Sequence, residues 1–223
     1  GFSYSNRKKK GSVSSYALKS KKPQISWFCW KSPLPISLIL ALAGRGNALR
    51  GQSTDTVTSW INANPTLRPG IGDGLIVRKV NTPAQRFSFQ ASILLPGRIT
   101  VPTDRATVRS ERLTFYDAIN GVTLERLKES LRVIYGLELY QDFERARIVY
   151  VYPSPATVDL SRRQNLPLLA AQQGQLLLGE RFAYWLEVTK NDKDKAFNGE
   201  ITVFRKEDLD KVKTELRSRE GGR

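Results

Sequence analysis

A strict alternation of apolar and polar residues begins at Gln85 and constrains the fold of this chain more than any other pattern in it. The apolar set is Phe87, Phe89, Ala91, Ile93 and Leu95, and the polar set between them is Arg86, Ser88, Gln90 and Ser92. Successive side chains of a strand point to opposite faces of its sheet. The alternation therefore predicts a half-buried strand in an antiparallel sheet, with one face packed and the other in contact with water.

The segments around this strand predict its neighbours. Residues 75–80 predict a strand, and Pro96-Gly97 predicts a turn into a partner strand over residues 99–116. Within that partner the apolar positions change from even to odd numbers, so a bulge or a break is expected near Ser110. Further strands are predicted over residues 148–152, 175–178, 181–190 and 201–203.

Three helices are predicted around the sheet. Ser53 offers an N-cap to a short helix that ends before Pro65, and Thr123 caps a longer central helix that ends at Gly136. A C-terminal helix covers residues 206–218. The apolar stripes are Leu124, Leu127, Leu131 and Ile134 in the central helix, and Leu209, Val212 and Leu216 in the C-terminal helix. The predicted fold class is therefore α+β, a single domain whose antiparallel sheet is packed by a central and a C-terminal helix.

The lead of the chain predicts an export signal. Eight lysines and arginines and no acidic residue precede Ala43, and the apolar run Leu34–Ala43 ends with small residues at Ala41 and Ala43, as signal peptidase requires. Ten helical residues span about 15 Å, whereas a bilayer needs about 20 residues, so no stable membrane span is expected. Cleavage is expected before Gly44; an uncleaved anchor and an ordinary structural segment are the alternatives.

The predicted organisation follows from this lead. Residues 1–43 are a signal peptide or N-terminal extension, residues 44–52 a flexible tether, residues 53–218 the α+β domain and residues 219–223 a disordered tail. The full chain is basic, with a net charge of +15, and removal of the lead leaves 28 lysines and arginines against 21 acidic residues. Twenty of those 28 cations are arginine, whose forked guanidinium suits carboxylates and phosphates.

Histidine is absent from the chain, and the only cysteine, Cys29, lies in the lead. A mature domain of this composition has no imidazole or thiol for a Ser-His-Asp or Cys-His site, for a zinc, haem or iron-sulfur centre, or for a disulfide. The oxygen-rich residues 191–199 lack the spacing of an EF-hand and predict a polar hairpin loop instead. We therefore assign no catalytic, metal-binding or cofactor-binding residue and expect no cofactor.

Two sets of residues are candidates for binding. Arg105, Arg109 and Arg112 are closely spaced and form a candidate anion-binding cluster. Tyr150 and Trp185 are candidate partner-binding side chains, because large aromatic residues on a sheet edge contribute strongly to protein interfaces. The aromatic residues of the sheet alternate with the core set, which disfavours a nucleic-acid interface of exposed stacking platforms.

Several short strings carry a resemblance. They are Arg86–Ser92 with Pro96–Arg98, Phe115–Asp117, Gly121–Thr123 and Glu129–Gly136. On these strings the chain resembles an uncharacterised exported protein family of cyanobacteria, over about residues 54–216. The strings have the chemistry of strands, turns and a helix. The resemblance therefore implies a periplasmic or thylakoid-lumen location and transfers no functional residue.

The sequence as a whole favours an exported, non-enzymatic protein-binding or assembly factor of the periplasm or thylakoid lumen. It predicts a protein partner, no nucleic acid and no transmembrane span in the mature chain, with peripheral membrane contact left open. One alternative is a module that binds anions or a lipid surface through clustered arginines, and another is a carboxylate-based enzyme. The oligomeric state is not assigned.

Overall fold

Seven antiparallel strands form one sheet in the computed structural model, which describes residues 51–96 and 106–221. In spatial order they are β1 (Ile76–Thr82), β2 (Gln85–Ser92), β3 (Ser110–Asp117), β7 (Ala196–Phe204), β6 (Ala183–Lys190), β5 (Gln172–Leu178) and β4 (Arg147–Tyr152). Two meanders, β1–β3 and β4–β7, join where β3 pairs with β7. The α+β fold class with an antiparallel sheet is thus confirmed, and β1 and β4 form its edges.

The helices begin where polar caps stand in the sequence. They are α1 (Thr54–Ala63), α2 (Leu124–Tyr135), α3 (Leu137–Glu144), α4 (Pro155–Gln164), α5 (Pro167–Ala171) and α6 (Leu209–Gly221), with a 3₁₀ turn over Lys206–Asp208. The hydroxyls of Ser53, Thr123 and Ser154 each accept a main-chain N–H of the first turn that follows. Gly136, at φ +87°, ends α2 in a conformation that favours glycine.

Different helices cover the two faces of the sheet. On one face, α1, α2 and α3 pack on strand residues such as Phe89, Leu113 and Tyr184. On the other face, α6 places Leu209, Val212 and Leu216 against a second cluster formed by β4–β7. Neighbouring residues of β6 and β7 belong to opposite clusters, as the alternation of strand side chains requires. The prediction that a central and a C-terminal helix pack the sheet is confirmed.

Two details of the predicted helices differ from the structure. Leu124 was expected in the apolar stripe of α2, but it is 42% exposed, because the first turn of the helix extends beyond the core. Residues 219–221, expected in a disordered tail, form the last turn of α6. Glu220 of that turn accepts a hydrogen bond from the main-chain N–H of Ser154 at 2.8 Å. Within the described residues no helix is long and apolar enough to cross a bilayer.

The expected break at Ser110 is confirmed, and it marks the start of β3. The prediction of a continuous strand over residues 99–116 was wrong for its described part. Residues 106–108 pair with residues 52–54 and do not extend β3. The Thr54 N–H donates to the Ala106 carbonyl at 2.9 Å, and the Val108 N–H donates to the Gln52 carbonyl at 3.0 Å. This return keeps Val108 fully buried. Residues 99–105, the predicted signal peptide and residues 44–50 of the predicted tether lie outside the described residues.

Candidate functional site

The polar half of the alternation in β2 lies on a sheet surface that α6 does not cover. The α6 cluster draws its strand residues from β4–β7 only. On the same side of the sheet, β1–β3 present side chains that are exposed or half-buried, except Ser110 at the start of β3, which is buried. We call this surface the open face; it comprises Ile76, Arg78, Val80, Arg86, Ser88, Gln90, Ser92, Arg112, Thr114 and Tyr116. The acidic residues of these three strands, Glu111 and Asp117, belong by register to the opposite side.

The three arginines of the open face lie among polar residues of β2 and β3, while Ile76 and the exposed Val80 of β1 add apolar side chains to the same side. Strand pairing places Arg78 opposite Ser88, and Arg112 opposite Gln90. Arg86 lies opposite Tyr116, and its guanidinium carbon is 4.4 Å from the centre of that ring. Such a cation–π contact restricts the guanidinium while leaving its N–H groups available to a ligand. The open face is therefore cationic within its own strands and offers neutral hydrogen-bonding groups between the charges.

A cleft of about 430 Å³ lies where the open face meets α6. We call it the inner cleft. Arg112, Trp185, Glu187 and Glu200 line it from the strands, Arg219 lines it from α6, and residues 94–96 form an apolar wall. The cleft thus brings together two carboxylates and two guanidiniums from elements that are far apart in the chain.

The carboxylates of the cleft come from directly opposed positions. Glu187 of β6 pairs in register with Glu200 of β7. Burial raises the pKa of Glu200; Arg112 opposes this change, and the neighbouring Glu187 adds to it. The Arg112 Nε lies 3.8 Å from a carboxylate oxygen of Glu200 and donates to the Thr202 hydroxyl at 3.3 Å. Arg219 also lowers the pKa of Glu200, so both guanidiniums of the cleft offset the negative charge of the pair.

A buried aromatic unit supports this pair. The Trp185 indole N–H donates to the Tyr152 hydroxyl at 2.6 Å, and Tyr152 in turn donates to Glu187. Burial, and then the charge of Glu187, raise the pKa of Tyr152 above its ordinary value, so the phenol remains a donor. The phenol lies across Gly174 of β5, where an added Cβ would overlap it and approach the Leu186 carbonyl to 2.7 Å. A glycine is required at this position for steric reasons.

The guanidiniums of the cleft flank the same indole. The guanidinium carbons of Arg112 and Arg219 each lie 5.9 Å from the centre of the Trp185 ring. Arg219 is also 3.8 Å from Glu215, one turn earlier in α6. Trp185 therefore acts as a buried wall that positions two cations rather than as an exposed platform.

The structure separates the predicted anion-binding arginines. Arg105 lies outside the described residues. The Arg109 guanidinium contacts the buried carboxylate of Asp208 at 2.9 Å, at the start of the C-terminal helical segment. Arg112 lines the inner cleft and contacts Glu200. Arg109 and Arg112 therefore contact different carboxylates. They do not converge, and each has an acidic partner.

The two predicted partner-binding aromatic residues also occupy different surroundings. Tyr150, on the edge strand β4, donates to Glu220 of α6, and the Arg217 guanidinium lies 5.7 Å from its ring centre. Trp185 is 3% exposed because α6 lies over β6, so its indole offers little surface to a partner. Sequence reasoning missed Arg219, Tyr152, Glu187 and Glu200. The available signal was Glu187, a glutamate in phase with Trp185 in the strand predicted over residues 181–190.

Residues 191–195 connect β6 to β7, as expected of a polar hairpin loop, but residues 196–199, which were predicted in the same loop, belong to β7. The Asn191 side-chain oxygen accepts the main-chain N–H groups of Lys193 and Lys195, each at 3.0 Å. Asp194 pairs with Lys190 at 2.9 Å. Across residues 51–96 and 106–221, no three histidine, cysteine or acidic side chains cluster as metal ligands would.

Comparisons of the chain with models of protein families, with curated proteins and with solved structures found no match. The proposals below therefore rest on the surfaces of the protein itself.

Proposed function

We propose that this chain is a non-enzymatic binding protein that holds an acidic segment of a partner protein on the open face. One observation carries the proposal. Arg78 and Arg86 occupy a sheet surface to which β1–β3 contribute no acidic residue, while helices pack against the other side of the sheet. Arg112 lies at the border of this surface with β7, where it also contacts Glu200. Charge complementarity favours an acidic partner, because it steers the encounter and rejects basic competitors.

The chemistry of the open face suits a polypeptide. Guanidinium groups form two parallel hydrogen bonds with a carboxylate, which fixes the orientation of the partner as well as its charge. Ser88, Gln90 and Thr114 lie between the arginines and can donate to, or accept from, main-chain amides of the partner. Tyr116, the aromatic residue of the open face, is already engaged by Arg86, which disfavours base stacking with a nucleic acid.

We further propose that the protein is exported to a periplasm or thylakoid lumen, and residues 1–43 support this part of the proposal. The test is N-terminal sequencing of the protein isolated from its native cells. A mature start at Gly44 is expected. A mature protein that retains Trp27, Phe28 and Trp30 would contradict export by a cleaved signal.

Binding is tested with poly-L-glutamate as the probe, using the full chain and isothermal titration calorimetry at two salt concentrations. The double variant Arg78→Gln/Arg86→Gln is expected to bind about ten-fold more weakly, equivalent to about 1.4 kcal/mol. The matched control is Arg162→Gln/Arg163→Gln, which removes the same charge from α4. The control is expected to bind within two-fold of the unaltered chain.

The alternatives give different results in the same experiment. An equal loss in both double variants would indicate general charge attraction and would refute a site on the open face. Binding to phosphatidylglycerol vesicles or to inorganic polyphosphate, with no binding to poly-L-glutamate, would replace the proposal by the anion- or lipid-surface alternative.

A further inference from the structure

We propose that the corner between α4 and α5 docks this protein on an anionic membrane surface. In this arrangement Leu166 and Leu168 insert among the lipids, and Arg162 and Arg163 lie against the headgroups. We call residues 162–168 the α4–α5 corner. The inference goes beyond the binding of an acidic partner on the open face, and it concerns a separate surface of the protein.

The α4–α5 corner exposes apolar side chains that the fold does not use. Every residue from 162 to 168 is exposed to solvent, so the corner protrudes from the surface. Leu168 is 73% exposed and Leu166 is 42% exposed, and neither belongs to the two core clusters. Removal of such apolar surface from water is favourable, and the lipid interface offers an apolar medium for it.

The charge of the corner complements an anionic surface. No acidic residue occurs between Asp159 and Glu180 in the sequence, and Arg162 and Arg163 lie in the last turn of α4. Across residues 51–96 and 106–221 neither guanidinium forms an ion pair, and the Arg163 Nε donates instead to the main-chain carbonyl of Asp159 at 3.4 Å. A cation beside an anionic leaflet strengthens membrane binding by about five-fold. Both arginines therefore keep their charge for lipid headgroups.

The main chain at the tip of the corner is satisfied within the protein, which insertion among lipids requires. A main-chain N–H that leaves water without a partner is costly in lipid. The N–H groups of Asn165 and Leu166 both donate to the Ser161 carbonyl, that of Leu166 at 2.9 Å. The Ser161 hydroxyl donates to the Leu166 carbonyl at 2.8 Å, and Pro167 has no N–H to satisfy.

The composition of the corner favours a membrane over a protein partner. The residues that dominate protein interfaces are Trp, Tyr and Arg, with Leu under-represented among them. Residues 162–168 contain no aromatic residue and combine arginine with leucine. That combination is typical of segments that lie in the membrane interface.

The corner and the open face belong to opposite halves of the sheet. The corner lies in the connection from the edge strand β4 to β5, whereas the open face belongs to β1–β3 at the other edge. The protein can therefore contact a membrane and hold an acidic partner at the same time.

The first test locates the corner with full-length chains and phosphatidylglycerol vesicles that contain brominated lipid, which quenches tryptophan on contact. Leu168→Trp places a reporter at the tip, and Ile71→Trp places one on an exposed loop at the start of β1 as its control. We expect more quenching in Leu168→Trp than in the unaltered chain, and no such increase in Ile71→Trp. Equal quenching of the two variants would overturn the proposal.

The second test measures the affinity of the full chain for phosphatidylglycerol vesicles by co-sedimentation. Leu166→Gln/Leu168→Gln is expected to bind about ten-fold more weakly, because two apolar tips are removed. Its matched control is Ile71→Gln/Ile119→Gln, which removes two exposed isoleucines elsewhere and should bind within two-fold of the unaltered chain. An equal loss in the two variants would refute docking through the corner.

The charge variants separate this inference from the proposed function. Arg162→Gln/Arg163→Gln is expected to weaken vesicle binding by about 25-fold, whereas Arg78→Gln/Arg86→Gln should change it by less than two-fold. The reverse order would place the membrane contact on the open face and overturn the inference. Failure of the open-face proposal instead appears as unchanged poly-L-glutamate binding in Arg78→Gln/Arg86→Gln, so each proposal can fail without the other.

Discussion

Glu111 is the buried charge whose removal gives the largest predicted gain in stability. It lies on β3, opposite Ala91 of β2 and Val203 of β7, on the side covered by α1–α3. Its side chain is 0% exposed, and neither carboxylate oxygen has a hydrogen-bond partner within the described residues. Burial raises its pKa to about 8, and the nearby Tyr135 hydroxyl opposes only part of this rise. The native state therefore retains a proton that the unfolded chain has already released.

The magnitude follows from the difference between the two pKa values. The free energy of unfolding is highest below the ordinary glutamate pKa of 4.5, where Glu111 is protonated in both states. It falls as the pH rises from there through about 8, the pKa in the folded state. At about 1.4 kcal/mol per pH unit, the loss reaches roughly 3 kcal/mol at pH 7 and nearly 5 kcal/mol above pH 8. Glu111→Gln keeps the shape of the side chain and removes its ionisation. We expect this variant to be about 3 kcal/mol more stable at pH 7 and equally stable at pH 4.

The assay is urea unfolding of the full chain between pH 4 and pH 8.5, followed by tryptophan fluorescence. The matched control is Glu125→Gln, whose side chain is exposed on α2 and whose substitution should change the free energy of unfolding by under about 0.5 kcal/mol. A difference between Glu111→Gln and the unaltered chain that stays constant from pH 4 to pH 8 would refute the reasoning, because the effect could not come from ionisation.

Two further predictions concern β3 and β5. Burial raises the pKa of Asp117, but hydrogen bonds from the main-chain N–H of Asn120 and from Arg126 outweigh this effect and lower the pKa to about 2. Between pH 5 and pH 2 the free energy of unfolding of the unaltered chain should therefore fall by roughly 2 kcal/mol as Asp117 is protonated. Asp117→Asn should not show this fall, and chemical unfolding over that pH range measures the difference. Gly174→Ala should lower the free energy of unfolding by about 1–3 kcal/mol, because the new methyl overlaps the phenol that lies across β5. Gly74→Ala, with open space around the added methyl, is its control, and equal stability of the two variants would count against this steric explanation.

Local patterns in the sequence determined much of the fold. The alternation from Gln85 predicted β2 and its two unlike faces, and the polar caps and Gly136 predicted where α1 and α2 begin and end. The stripe of Leu127, Leu131 and Ile134 predicted which side of α2 is buried. These features depend on the periodicity of side chains along one element, and the sequence displays that periodicity directly.

Tertiary structure alone decided the candidate site. Periodicity indicates which side of a strand is covered, but not which element covers it. For this reason Trp185 was expected to meet a partner and instead lies under α6, and Arg109 was expected to bind an anion and instead contacts Asp208. The opposition of Glu187 and Glu200 depends on the register of β6 with β7, and the approach of Arg219 depends on where α6 crosses the sheet. Long-range packing sets both, because each juxtaposition is stable only once the sheet and its helices have buried their apolar faces together.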